Sequence, residues 1–454
     1  MNKLKAAVWV VLAGFSLSFV GTAYADENPL VALKNQMAES DKAKSQEVDG
    51  LKNQVNDLNK KLSMLESKLS SVENKVGSAT PAYVQTGSVS DAGNLSGIEV
   101  HGFIDTQYNV NFRQPNTPDS TTNTNVGRIF DNKDGTFGVN AAEIDIEKKA
   151  LEPGQAGFRA DVMFGEDANV VNGDGNDATS DVDLQQAYVE YIAPLNFFEG
   201  NSVLPSSVNI KAGRFVTLAG LEVIEAPDNW NISRSFMFGL GIPFTHTGVR
   251  TNFGLFNDFF DVYLGLNNGW DVAQDNNSFK TLENGLGYTL FEKLHMFHSI
   301  YWGGENAGRT NNGSRFLNTN TATYDITDKL SVMGEINFAR QNDVGTLPTP
   351  EANIWSGYAA YARYQFTPKF ALSSRSELFR DDDVARGLGA AGGAQSDRTF
   401  GQTFTAEYKL TDQLISRAEF RFDKANDDNI YGGAGTAAGD SSQTTIGAQM
   451  IYVV

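Results

Sequence analysis

Four stretches in the second half of the chain share one order of apolar and polar positions. They are Tyr288-Thr-Leu290-Phe-Glu-Lys-Leu294, Tyr324-Asp-Ile326-Thr-Asp-Lys-Leu330, Tyr364-Gln-Phe366-Thr-Pro-Lys-Phe370 and Tyr408-Lys-Leu410-Thr-Asp-Gln-Leu414. Each reads Tyr, any residue, an apolar residue, a three-residue turn and an apolar residue. Successive copies start 36, 40 and 44 residues apart. On either side of the turns the chain alternates. Tyr358, Ala360, Ala362, Tyr364 and Phe366 share one parity, while Tyr361, Arg363 and Gln365 hold the other. After the fourth copy, Leu414, Ala418, Phe420 and Phe422 alternate with Arg417, Glu419 and Arg421. Successive side chains of a strand point to opposite faces. Each repeat therefore predicts two long strands joined by a tight turn, with one apolar face and one charged face.

Two folds accommodate such strands. In a soluble sandwich the apolar face lines a core and strands average five or six residues. In a membrane barrel that face meets lipid, strands need about 9–11 residues, and aromatics gather at the interface. The strand length, and four tyrosines at one position relative to four short turns, favour the barrel. The first strand is two-faced: Ile98, Val100, Gly102, Ile104, Tyr108, Val110 and Phe112 alternate with polar residues up to Arg113. Further strands are expected at 137–148, 156–165, 182–193, 207–216, 244–254, 259–267, 279–290, 293–303, 315–326, 329–340, 354–366, 369–380, 399–410, 413–423 and 442–454. The expected fold is all-β: a transmembrane antiparallel up-and-down β-barrel of about 16 strands over 98–454. An even count puts both barrel ends in the periplasm. The polar segments 114–135, 166–181, 304–314, 341–353, 381–398 and 424–441 then lie outside. The last strand ends Met450-Ile-Tyr452-Val-Val454, so two valines follow its final aromatic residue.

The N-terminal quarter follows other periods. Residues 1–25 have a positive end (Lys3, Lys5), an apolar stretch from Ala6 to Val20 and the small-x-small pattern Ala23-Tyr24-Ala25. That is a signal peptide cleaved near Ala25. Residues 26–77 read as helical. Within them Val48, Leu51, Val55, Leu58, Leu62, Leu65, Leu69, Val72 and Val76 alternate spacings of three and four. This heptad pattern over 48–76 predicts a periplasmic α-helical coiled coil. Lys61 and Lys68 at g precede Glu66 and Glu73 at e, which suits a parallel homo-oligomer. A trimer closes its symmetry with three barrels. Residues 78–97 are a Ser/Thr/Gly/Pro-rich flexible linker.

Composition narrows the function. There is no cysteine among the 454 residues, hence no disulfide or thiol chemistry, and the net charge of −19 argues against nucleic acid. Mean hydropathy is −0.32, as expected when half of every strand faces water. The four histidines, at 101, 246, 295 and 298, show no metal spacing with a carboxylate, and no nucleophile–base set is visible. No catalytic residue, metal or cofactor is therefore expected. Asn172-Gly-Asp174-Gly-Asn176-Asp177 offers oxygen ligands for calcium, but it lacks the EF-hand pattern and its bidentate Glu, so a solvated loop is the first reading. Inward parity places Arg113, Arg159, Asp161, Glu190, Lys211, Arg363, Arg375, Glu377, Arg417, Glu419 and Arg421 in the lumen. Such charges set selectivity in a pore. Alternatively, neighbours such as Arg375/Glu377 and Arg417/Glu419 neutralise each other and brace the wall.

The most distinctive stretch runs from Gly213 to Lys280. It includes Gly213-Arg-Phe215, Gly220-Leu-Glu222-Val-Ile-Glu225, Asn229-Trp-Asn-Ile-Ser233-Arg-Ser235, Pro243-Phe-Thr-His246-Thr-Gly-Val-Arg250 and Asn267-Asn-Gly269-Trp-Asp271. With Gly102-Phe-Ile-Asp105 and Gln186-Ala-Tyr-Val189, the series resembles the outer-membrane β-barrel porin-2 family over about 98–454. The resemblance implies an outer-membrane barrel with passive transport of small hydrophilic solutes or ions. The coiled coil lies outside it. Residues 217–242 are too long and too apolar for an ordinary external loop. They either fold into the lumen, with Glu222, Glu225 and Asp228 facing Arg214, Arg234 or Arg250 across a constriction, or fold over the rim or onto a neighbouring subunit. The expected protein is an outer-membrane porin and not an enzyme. A second reading is a structural anchor whose coil reaches peptidoglycan or another periplasmic partner.

Overall fold

The computed structural model describes residues 97–112, 125–172, 181–198, 200–306, 313–342, 352–382, 386, 398–426, 431 and 441–454. The expected signal peptide, the coil with its core Val48 to Val76, the linker up to residue 96 and Arg113 lie outside them. So does 173–180, which holds most of the Asn172–Asp177 loop.

Sixteen strands close into one antiparallel barrel in which each strand pairs with its neighbours in sequence and the first pairs with the last. They are β1 (Glu99–Asn111), β2 (Phe137–Lys148), β3 (Ala156–Phe164), β4 (Val182–Pro194), β5 (Ser207–Val216), β6 (Thr245–Leu255), β7 (Phe260–Asn267), β8 (Thr281–Leu290), β9 (Leu294–Gly304), β10 (Ser314–Asp325), β11 (Leu330–Gln341), β12 (Asn353–Thr367), β13 (Phe370–Asp381), β14 (Arg398–Lys409), β15 (Leu414–Ala425) and β16 (Ser442–Val453). Every expected strand is present and its ends fall within two residues of the expectation. A short helix, α1 (Glu166–Val171), interrupts a segment read as an external loop. It is one and a half turns long, too short for its period to show in the sequence.

Burial decides between the two folds. On β15, Arg417 and Arg421 are buried, while Phe420 between them is 42% exposed. The oily face points outward and the charged face inward, the reverse of a soluble sandwich. Tyr324, Tyr364 and Tyr408 are 39–46% exposed on that outer face, next to the short turns. No helix of the described residues is long and apolar enough to cross a membrane.

The repeated turns close by two local mechanisms. In three copies the threonine hydroxyl accepts the next backbone N–H groups. Thr327 accepts from Lys329 and Leu330 at 3.2 and 3.0 Å, Thr367 from Lys369 and Phe370 at 3.3 and 3.1 Å, and Thr411 from Gln413 and Leu414 at 3.3 and 2.9 Å. The first copy has Phe291 where the others have threonine. There Phe291 and Glu292 both take positive φ (52° and 63°), the backbone of a two-residue hairpin turn.

Candidate functional site

The segment 217–244, between β5 and β6, has no partner strand, so its backbone donors and acceptors need other partners. It finds them inside the barrel, on strands far round the ring. Leu218 N–H donates to the Tyr301 hydroxyl of β9 at 2.8 Å. Leu221 N–H donates to Glu335 of β11 at 2.9 Å. Ile232 and Ser233 donate to the Glu419 carboxylate of β15 at 2.6 and 3.0 Å. Phe236 donates to Glu377 of β13 at 2.7 Å. The loop thus crosses the interior to the opposite wall, and the alternative of folding over the rim does not occur.

Arginines complete the set by taking loop carbonyls. Arg375 of β13 donates to the Ser233 carbonyl at 2.6 Å and to Glu222 at 2.7 Å. Arg421 of β15 donates to the Arg234 carbonyl at 2.6 Å. Arg417 reaches the carbonyls of Ala226 and Pro227 at 2.9 and 3.1 Å. Irregular backbone at membrane depth is tolerated only where protein or a wet cavity satisfies it. Here the charged wall performs that role. Apolar packing adds to it: Phe236, Met237, Phe238, Leu240 and Ile242 are buried in one cluster with Trp355 and Phe379. The Trp355 indole N–H donates to the Gly241 carbonyl at 2.9 Å. Gly357 leaves room for Met237, whose sulfur lies 2.7 Å from where a Cβ would stand. From the loop ahead of β2, Phe130 wedges against Phe238 and Phe244 with ring centroids 5.7 and 5.6 Å apart. Arg128 bridges Asp423 at 2.6 Å and Asp131 at 2.5 Å.

The pairings expected across the loop are not those observed. Glu222 meets Arg375 rather than Arg214, Arg234 or Arg250. Glu225 accepts from Gln185 at 2.7 Å, and Asp228 is exposed. Arg214 pairs with Asp183 at 2.8 Å and Arg250 with Glu283 at 2.5 Å. Arg234 folds back on the carbonyls of Val223, Ile224 and Ile232. The reason is distance round the barrel: the loop spans to the far wall, while Arg214 and Arg250 stand on its own flanking strands. Of the bracing pairs, Arg375 and Glu377 do meet, at 3.3 Å. Arg417 instead shares Glu407 with Arg363, at 2.9 and 2.6 Å, and Glu419 serves the loop backbone. Lys211 sits 3.9 Å above the Tyr188 ring. Glu190 accepts from Ala150 N–H and Asn209 at 3.0 and 3.1 Å. Arg159 chelates Asp161 at 2.8 Å and touches Asp145 at 3.3 Å.

Glu283, Glu335, Glu407 and Asp423 belong to this network although the sequence did not single them out. All four stand at inward parity on expected strands, so parity alone was the available signal. Arg128 had none, because it lies in an irregular loop.

Solved structures share this architecture. The outer membrane channel DcaP of Acinetobacter baumannii matches with a TM-score of 0.52 at 10% identity, covering 79% of this chain and 97% of its own. The anion-selective porin from Comamonas acidovorans matches with a TM-score of 0.51 at 11% identity, covering 79% of this chain and 99% of its own. At those identities they speak for the fold alone. No curated protein matches the sequence. A family model also matches residues 97–453, the span of the barrel: the chain belongs to the family "Putative beta-barrel porin-2, OmpL-like".

Proposed function

We propose that the protein is an outer-membrane porin, a water-filled channel for passive diffusion of small hydrophilic solutes or ions, narrowed by 217–244. One observation carries this reading: the charged face of the strands points inward on many strands, and the loop 217–244 crosses the space they enclose. Lumen charges of both signs steer polar solutes. The candidate lining residues are those of the sequence reading, with Arg375, Glu377, Arg417, Glu419 and Arg421 holding the loop and Glu225, Asp228, Arg159 and Lys211 left beside the passage. The protein acts without catalysis. Its partners are outer-membrane lipid and the permeating solute. The signal peptide directs export, and the heptads of 48–76 assemble copies in the periplasm, a trimer being the simplest closed arrangement.

Purified protein added to a planar bilayer is expected to give stepwise conductance. Replacing 219–241 with a short Gly/Ser turn is expected to raise the step size while the barrel still folds. Insertion that never opens, in both forms, would defeat the channel reading.

A further inference from the structure

Where β2 and β3 face the interior, four carboxylates meet one guanidinium. Glu143, Asp145 and Glu147 occupy alternate positions of β2, and Asp161 and Arg159 stand on β3. The register sets Asp145 directly opposite Asp161, and like charges so placed weaken a ladder. Arg159 is spent on Asp161 at 2.8 Å and on Asp145 at 3.3 Å. Glu147 has Lys149 at 2.9 Å. Glu143 has no counterpart: it is 3% exposed, and neither of its oxygens receives a hydrogen bond. Oδ1 of Asp145 and the amide oxygen of the fully buried Gln185 on β4 are also unmatched. A buried carboxylate without a partner is costly, so this group of acceptors calls for a positive charge.

The spacing suits a metal ion. One oxygen each from Glu143, Asp145 and Asp161 lie within 4.8 Å of one another. Calcium–oxygen bonds of about 2.4 Å put opposing ligands about 4.8 Å apart. An all-oxygen set favours calcium, magnesium or manganese over softer metals. We propose that Glu143, Asp145 and Asp161 bind a hard divalent cation, calcium foremost, on the inner wall of β2 and β3. The sequence reading expected no metal; the set spans two strands, and only the register unites it. A second trio, Glu99, His101 and Glu147, is largely exposed and already carries Lys149, so no ion is assigned there. The site needs the folded barrel and not an open passage, so binding and conductance fail independently.

Chelator-washed, detergent-solubilised protein titrated with calcium chloride by calorimetry is expected to bind one ion per barrel with Kd at or below about 1 mM. Manganese is expected to compete, read by its electron spin resonance. Glu143→Gln is expected to weaken binding at least tenfold, and the double variant E143Q/D145N to abolish it. Asp174→Asn, in the polar segment between β3 and β4, is expected to leave it unchanged. No saturable binding to the folded wild type overturns the proposal whether or not the variants fold. Full binding in a folded E143Q/D145N protein, or binding lost in Asp174→Asn alone, overturns it as well.

Discussion

Arg375 shows how one residue holds the interior together. Its guanidinium is fully buried, lies against two carboxylates, Glu222 and Glu377, and donates to a loop carbonyl. Removing one partner of a buried pair costs about 3–5 kcal/mol, because the other charge is left uncompensated. Arg375→Met leaves Glu222 and Glu377 facing each other and is expected to free the crossing loop. Trypsin should then cut after Arg234, whose side chain is buried in the wild type, and single-channel conductance should rise. A variant that remains uncut with unchanged conductance would show that apolar packing alone seats the loop. Arg375 was legible in the sequence as an inward charge. Its pairing with Glu222 was not, since 153 positions separate the two and no local period joins them.

Elements were far more legible than contacts. Strand existence, order and ends followed from two-residue alternation, because every strand has lipid on one side and polar surroundings on the other, so no tertiary packing overrides the pattern. The threonine-led turns were legible for the same local reason. The helix α1 was not, being too short to show a period, nor were the turns of the crossing segment, whose conformation is dictated by distant wall residues. Depth in the membrane provides a test of the outer face. Ile336, midway along β11, is 62% exposed. Ile336→Arg is expected to lower the stability of the refolded barrel in lipid vesicles by about 2–4 kcal/mol, and Tyr364→Arg at the rim by about 0–1 kcal/mol. Denaturant titration measures both. Equal losses would mean that the tyrosines do not mark an interface.

At the scale of the whole molecule, most interior cations are already neutralised. Arg250 is matched by Glu283, Arg421 by Asp423, and Arg363 and Arg417 by Glu407. Glu225 and Glu143 have no such ion pair among the described residues. Among the described buried side chains sixteen carboxylates stand against six arginines, so the surplus is acidic and a modest preference for cations is expected. Reversal potentials across a potassium chloride gradient measure it. A clear anion preference would mean that Lys211 and Arg159 govern the passage. Arg159→Gln should increase the cation preference further.

The crossing loop also fixes an order of events. It is encoded before β11, β13 and β15, yet its N–H groups at Leu221, Phe236, Ile232 and Ser233 depend on carboxylates of those strands. Until the later half of the chain is in place, the segment has nothing to rest on and its phenylalanines stay uncovered. Seating can thus occur only once the ring is nearly complete. Loss of cleavage after Arg234 would time the moment of closure during refolding.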